Sequence, residues 1–113
     1  SGGTSKYAAQ TNRKSAKPKI ETIEVKKGFG KGRSLDPDRR IMITATANNP
    51  SGNVSKASLT VKDKSNKTIE AARLELKNMQ TRSWEIPAEM KPWTLSLSGE
   101  EGRIIFKVQQ FLK

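Results

Sequence analysis

Cysteine and histidine, two residue types found in many readily recognised enzyme sites, are absent from this sequence. Without cysteine the chain forms no disulfide and offers no thiolate nucleophile or thiolate metal ligand. Without histidine it lacks the commonest general base and the commonest metal ligand of proteins. We therefore expect a protein that is not an enzyme and that binds no metal and no cofactor.

Large apolar side chains are also scarce. Hydrophobic residues make up 33% of the 113 residues and aromatic residues 5%, whereas soluble domains usually contain about 45–50% apolar residues when glycine is counted. No run approaches the roughly 18 apolar residues that a membrane-spanning helix needs. We expect one domain with a thin core and no membrane span.

Acidic residues are outnumbered two to one, because 22 lysines and arginines face 11 aspartates and glutamates, a net charge of +11. A charge of this size bears on partners rather than on the fold. It favours anionic partners: nucleic acid, an acidic polysaccharide, a phospholipid surface or an acidic protein. The absence of cysteine fits either redox compartment, and the oligomeric state is left open.

The first 19 residues are rich in Ser, Thr, Asn, Gln, Ala and Lys, and contain five basic residues but no acidic one. Such a segment cannot bury enough apolar surface to offset the entropy lost on ordering. We predict a disordered basic arm or linker over residues 1–19, followed by a folded domain over residues 20–113. Arg13 and Lys14 of the arm are candidate contacts to a polyanion.

Residues 41–47 and 57–63 show the alternation of apolar and polar side chains that is typical of half-buried strands. The simplest interpretation is an antiparallel pair joined across the breaker cluster at residues 48–53. The connection is long for a tight hairpin, and it would suit equally a crossing between two sheets, as in a Greek key. Both alternatives give two strands that each bury one face.

Residues 68–79 allow two interpretations. Ile69, Ala72, Leu76 and Met79 recur at helical spacing, and Ala, Glu, Leu and Lys are good helix formers. The alternative is a strand with Leu74 and Leu76 facing inward, after a bulge near residues 71 and 72. We favour the strand because the neighbouring segments are β-rich and the flanking turns are short.

Further strands are predicted over residues 20–26, 82–86, 93–98 and 103–108. The last two face each other across a tight turn at residues 99–102, which predicts a final hairpin. The alternation assigns these side chains to the core: Trp84, Ile86, Trp93, Leu95, Leu97, Ile104, Phe106 and Val108. An exposed tryptophan would instead favour carbohydrate binding, because sugar rings stack on aromatic faces.

About seven strands with turns between them predict an all-β fold, an antiparallel sandwich. The units at residues 41–63, 63–67 and 93–108 resemble those of immunoglobulin-like and fibronectin type III-like modules, which recur in bacterial secreted and surface proteins. The resemblance implies an immunoglobulin-like sandwich that serves as a spacer, adhesion or docking module of a larger, secreted or surface-associated protein. Its partners would be another protein or neighbouring domains of the same chain. The immunoglobulin cysteine pair and the tyrosine corner are missing.

Residues 26–33 combine three glycines with four cations and one phenylalanine, and we predict a flexible basic loop. Its cations can contact phosphates or other anionic groups while the aromatic ring stacks on a base. With the arm, this loop predicts an alternative function, the binding of nucleic acid or another polyanion. The candidate residues of the loop are Lys26, Lys27, Phe29, Lys31 and Arg33.

Acidic pairs are the remaining candidates for a site. Asp36 and Asp38 flank Pro37, and Glu100 and Glu101 lie in the predicted turn before Gly102. A calcium ion needs six to eight converging oxygen ligands, and each pair supplies too few. We expect these acids to serve in turns and on the surface.

Overall fold

The computed structural model describes residues 17–112. Eight strands and one short 3-10 turn make up the fold. The strands are β1 (Lys19–Lys26), β2 (Gly30–Ser34), β3 (Arg39–Ala47), β4 (Ser55–Lys62), β5 (Thr68–Leu76), β6 (Thr81–Ile86), β7 (Thr94–Glu101) and β8 (Arg103–Leu112), and the 3-10 turn is Ala88–Met90. The predicted arm lies, up to residue 16, outside the described residues, and Lys19 already belongs to β1.

The strands form two four-stranded antiparallel sheets, ordered β1-β8-β3-β6 and β2-β7-β4-β5. The all-β antiparallel sandwich predicted from the sequence is confirmed. Its strand order is that of a jelly roll, in which eight strands form two Greek keys. The immunoglobulin connectivity differs, because there the first two strands are paired neighbours in one sheet, whereas here β1 and β2 lie in opposite sheets.

The core lies between the two sheets and is made of alternate residues of nearly every strand. In β3 and β4 every second side chain is buried without exception. Six of the eight predicted core residues are buried, and Trp84 is partly buried against the same cluster. The eighth prediction is wrong: Trp93 is 40% exposed, because it precedes β7 at the end of the sandwich.

Two predicted pairings are corrected by the sheet order. Strands β3 and β4 lie in opposite sheets, so the Greek-key alternative is the one observed. The predicted final hairpin is wrong, since β7 pairs with β2 and β4 while β8 pairs with β1 and β3. Alternation shows which face of a strand is buried, but it does not identify the neighbouring strand. Gly102, with φ +62°, turns the chain from one sheet to the other.

The segment with two interpretations is a strand, as favoured. In β5, Leu74 and Leu76 are buried and Glu75 is exposed. The irregularity lies earlier than predicted: the register with β4 shifts between Val61 and Lys62 and skips Ile69. Local propensity for a helix is therefore overridden by pairing with β4.

The predicted flexible loop is wrong in its second half, because residues 30–34 form β2. Each residue of β2 has a partner in β7, from Gly30 opposite Ser98 to Ser34 opposite Thr94. Glycine weakens an isolated strand, but an existing neighbour can supply the ladder of hydrogen bonds. The segment is thus an edge strand rather than a loop.

A close crossing joins the two sheets where β1 ends. The backbone of Lys26 and Lys27 passes directly over Gly99 of β7, and the Gly99 N–H donates to the Phe29 carbonyl at 2.8 Å. A Cβ on Gly99 would overlap the Lys26 backbone, lying 2.6 Å from its nitrogen. Only glycine permits this approach.

A buried arginine closes the opposite end of the sandwich. Arg39 is 1% exposed; its Nε lies 3.4 Å from Asp36 Oδ2, and its guanidinium donates to the carbonyls of Gln110 and Lys17. Gln110 Oε1 in turn accepts from the Asp36 N–H at 3.0 Å. This network ties the starts of β1 and β3 to the end of β8.

Within residues 17–112 there is no helix long and apolar enough to cross a membrane.

We predict that Gly99→Ala destabilises the fold by about 3 kcal/mol or more, because the added methyl group displaces backbone rather than a flexible side chain. Gly30→Ala is the matched control: its Cβ would meet only the Leu97 carbonyl oxygen, at 3.6 Å, and its effect should stay within about 0.5 kcal/mol. Urea unfolding of both variants measures the difference. Equal stabilities would contradict the close crossing.

Candidate anion-binding groove

A groove runs along one side of the sandwich, between β1 and β2, which are the edge strands of the two sheets. We call it the edge groove. Its volume is about 320 Å³, within the lower range of ligand sites. The lining residues are Thr22, Ile23, Glu24, Lys26, Phe29, Lys31 and Arg33. The structure therefore brings four of the five predicted loop residues together on one surface.

The register of β2 explains why its cations point into the groove. Lys31 lies opposite Leu97 and Arg33 lies opposite Leu95, and both leucines are buried in the core. Residues directly opposite each other in an antiparallel pair project from the same face. Lys31 and Arg33 thus project from the core-facing side of β2, at an edge where the sheets open to solvent.

Arg33 is already held by a carboxylate across the groove. Its Nε lies 2.7 Å from Glu21 Oε2, and its NH1 donates to the Gly32 carbonyl at 2.9 Å. Both side chains remain partly exposed, at 39% and 48%. An exposed pair of this kind contributes about 0–1 kcal/mol to stability, so its main effect is to orient the guanidinium.

Lys26 and Phe29 line the groove at the end where β1 finishes and β2 begins. The Lys26 Nζ lies 5.0 Å from the centroid of the Phe29 ring, a distance suited to a cation–π contact. The ring is 47% exposed, and the Phe29 N–H donates to the Lys26 carbonyl at 2.9 Å in the turn. A ligand that stacks on Phe29 would meet a positive charge at the same time.

The charges of the groove do not cancel. Glu24 pairs with Arg103 at 3.1 Å, outside the groove lining, and Glu21 pairs with Arg33. Among the described residues, Lys26 and Lys31 have no ion-pair partner. Two cations are therefore available to an anionic ligand, and the concave shape concentrates their field.

Two groups of predicted site residues lie elsewhere. Lys27 bridges to Gly99 and does not line the groove, while Arg13 and Lys14 lie outside the described residues. The sequence prediction missed Glu21, Thr22, Ile23 and Glu24, which were assigned only to a strand. Composition gave no signal for them, because their role depends on β1 and β2 meeting at one side of the sandwich.

The acidic pairs take the structural roles expected of them. Asp36 Oδ1 accepts from the Asp38 N–H at 2.9 Å, and Asp38 pairs with Lys91 at 3.3 Å. In residues 17–112 no group of three or more acidic side chains is placed to hold a metal ion. Glu100 lies at a bulge of β7 and is bound by two donors, Ser58 Oγ at 2.7 Å and Arg73 NH2 at 2.9 Å.

A second surface feature is the exposed tryptophan at the end of the sandwich that holds Arg39. The Trp93 backbone bonds to Lys62 and Leu35, and the Lys64 Nζ lies 5.6 Å from the centroid of its ring. Trp84, in contrast, packs against the core and is covered by Arg82 at 5.0 Å. Of the two candidate tryptophans for sugar stacking, the structure leaves Trp93 accessible.

Comparison with known proteins reveals no relative by sequence. No protein-family model matches the chain, and no curated protein matches it. The fold, however, is similar to that of solved structures. The capsular polysaccharide assembling protein CapF from Staphylococcus aureus matches with a TM-score of 0.54 and 9% identity, over 86% of this chain and 23% of that one. At this identity the likeness shows the fold alone.

Two further similarities span nearly the whole of the matched chain. A structure of Bacillus endospore appendages, described as disulfide-linked pili, matches with a TM-score of 0.49 and 7% identity, over 86% of this chain and 90% of that one. A de novo designed double-stranded β-helix matches with a TM-score of 0.46 and 14% identity, over 81% and 97%. The chain is therefore a β-rich protein with distant structural neighbours and without a family assignment.

Glu100 supplies a pH-dependent prediction. The hydrogen bonds from Ser58 and Arg73 favour the charged carboxylate and lower the pKa of Glu100 below its ordinary value of 4.5. Because the folded-state pKa is lowered, the stabilisation is complete at neutral pH and is lost as the pH falls through that folded value. We expect Glu100→Gln to be less stable than wild type at pH 7, with the gap closing in acid.

Urea unfolding over a pH series measures this gap, and an NMR titration of the Glu100 carboxyl gives its midpoint. Ser58→Ala should move that midpoint upward, because it removes the larger of the two effects. A wild-type midpoint at or above 4.5 would contradict the prediction.

Proposed function

We propose that this chain is a non-catalytic binding module of a larger protein and that it holds an anionic ligand in the edge groove. The observation that carries the proposal is the orientation of Lys31 and Arg33, two cations on the core-facing side of an edge strand. Together with Lys26 and Phe29 they surround a concave space of about 320 Å³. An anion placed there would meet Lys26 and Lys31, beside the guanidinium of Arg33 that Glu21 orients.

The placement of these cations supports binding more than stability. A core-facing position favours apolar side chains, and exposed ion pairs contribute little. Inward-pointing charges on edge strands also discourage unwanted pairing between sheets, which is a structural role that needs no ligand. That role does not require Lys26, Lys31 and Arg33 to meet around one cavity beside an exposed aromatic ring, as they do here.

A non-catalytic role is supported by the state of the described carboxylates near the groove. Glu21 and Glu24 are each paired with an arginine, Arg33 and Arg103 respectively. The two carboxylates beside the groove therefore already take part in ion pairs, which supports a binding role.

The proposal keeps the larger parent protein inferred from the sequence, with a secreted or surface location and a protein or neighbouring domain as partner. The match to CapF covers only 23% of that chain. CapF is therefore an example of a longer protein that contains a similar fold. An anionic polymer, either nucleic acid or acidic polysaccharide, is the other ligand that the groove chemistry fits.

We predict that Lys31→Glu weakens binding of a fluorescent heparin oligosaccharide by about tenfold or more and lowers the slope of log affinity against log salt. Lys77→Glu is the matched control, since it makes the same charge change in the exposed β5–β6 turn, away from the groove lining. Fluorescence anisotropy between about 50 and 200 mM salt measures both effects. Equal losses in the two variants would mean that net charge alone drives binding.

A second function, carbohydrate binding at Trp93, is favoured by one observation, its 40% exposure. An exposed indole offers a flat face for a sugar ring, and Lys64 beside it can bind a hydroxyl or carboxylate of the sugar. We predict that neutral and acidic oligosaccharides quench the fluorescence of Trp93 and that Trp93→Ala abolishes their binding. Trp84→Phe is the control. Quenching that survives Trp93→Ala would contradict this second function.

A further inference from the structure

We propose that the edge groove receives an acidic segment of protein in extended conformation, which pairs with β1 as a fifth strand of its sheet. This inference rests on the proposed function and names the class of partner: an acidic peptide rather than an anionic polymer. The observations that carry it are the free backbone edge of β1 and the cations that stand beside that edge.

The first step is the unpaired edge. Strand β1 pairs with β8 along its full length, from Lys19 opposite Gln110 to Lys26 opposite Arg103. In the described part of the chain no strand hydrogen bonds to its other side. In an antiparallel strand, alternate residues direct their N–H and C=O groups away from the existing neighbour. The backbone of β1 is therefore a template for another strand.

The second step is the course of the groove. Its lining includes three consecutive residues of β1, Thr22, Ile23 and Glu24, followed by Lys26. A site that contacted only side chains of one face would be lined by every second residue. The groove thus follows the backbone edge itself, and residues 22–26 span about 16 Å at roughly 3.3 Å per residue. That length accommodates about five residues of an added strand.

The third step is charge. Side chains of an added strand would alternate between the outer face of the sheet and the gap between the sheets, where Lys31 and Arg33 project. Glu21 shows that a carboxylate on the inward side of a strand at this edge reaches Arg33, at 2.7 Å. A strand with acidic residues at alternate positions would present the same group, and Lys31 has no ion-pair partner among the described residues.

The same cations select against other strands. A second copy of β1 would bring two lysines and two glutamates, so its net charge is zero, and it would offer the groove cations less negative charge than an acidic strand. Charged side chains that point inward at an edge discourage neutral or basic strands from adding there, and such repulsion is a source of specificity. The arrangement accordingly favours an acidic strand over a second copy of β1.

The test uses the full chain with a fluorescent ten-residue peptide that alternates glutamate and threonine. Two backbone-methylated versions of the peptide carry N-methyl groups on alternate residues, one on the glutamates and the other on the threonines. Methylation removes hydrogen-bond donors without changing charge. Because only alternate residues of an added strand bond to β1, we expect one version to lose at least tenfold in affinity and the other to bind like the parent peptide.

Two variants complete the test. Lys31→Glu should weaken the parent peptide by at least tenfold, and Lys77→Glu should leave it within about twofold, because that side chain lies outside the groove. Hydrogen exchange should show new protection at alternate amides of β1 when the peptide is bound. A lysine–threonine peptide of the same length should not bind.

The outcomes separate this inference from the proposed function. If both methylated peptides bind like the parent, or if heparin binds in a Lys31-dependent way while the peptide does not, strand addition is wrong and anion binding in the groove stands. If neither the peptide nor heparin responds to Lys31→Glu, both proposals fail. Methylation-sensitive binding that ignores Lys31→Glu, or dimerisation through β1 seen by sedimentation, would overturn the preference for an acidic partner.

Discussion

The close crossing at Gly99 is the constraint on which the rest of this side of the molecule depends. The end of β1 passes over β7 with backbone in contact with backbone, and the chain moves there from one sheet to the other within three residues. The crossing places β1 and β2 at the same side of the sandwich. The basic segment thereby becomes one wall of a groove instead of a solvated loop.

Jelly-roll connectivity and the groove both follow from the crossing of the chain from one sheet to the other after β1. When consecutive strands lie in opposite sheets, each link must cross the gap between them, and the first link fixes which edges lie together. The edge strand β2 carries Lys31 and Arg33 on its inner side, where a continuous barrel would carry core residues. The gap between the edge strands β1 and β2 is thus a place where the two sheets are not joined by strand pairing, and it is also the edge groove.

Much of the fold could be predicted from local pattern, whereas of the site only the basic segment that contains Lys26, Phe29, Lys31 and Arg33 could. The alternation in residues 41–47 and 57–63 identified the buried face of β3 and β4, because one side of each strand must be apolar. It gave no information on neighbours, so the pairing of β7 with β8 was predicted wrongly. Lys31 and Arg33 were recognised as basic, but Glu21, the partner of Arg33, became visible only in the folded structure, because it depends on contacts far apart in sequence.

The buried arginine has a consequence for where the chain enters and leaves the sandwich. Arg39 binds the carbonyls of Lys17 and Gln110, so the chain enters and leaves the sandwich at the same end. An even number of antiparallel strands always returns the chain to its starting side. Residues 17 and 112 therefore both lie at the Arg39 end, and the Gly99 corner lies at the opposite end of the sandwich.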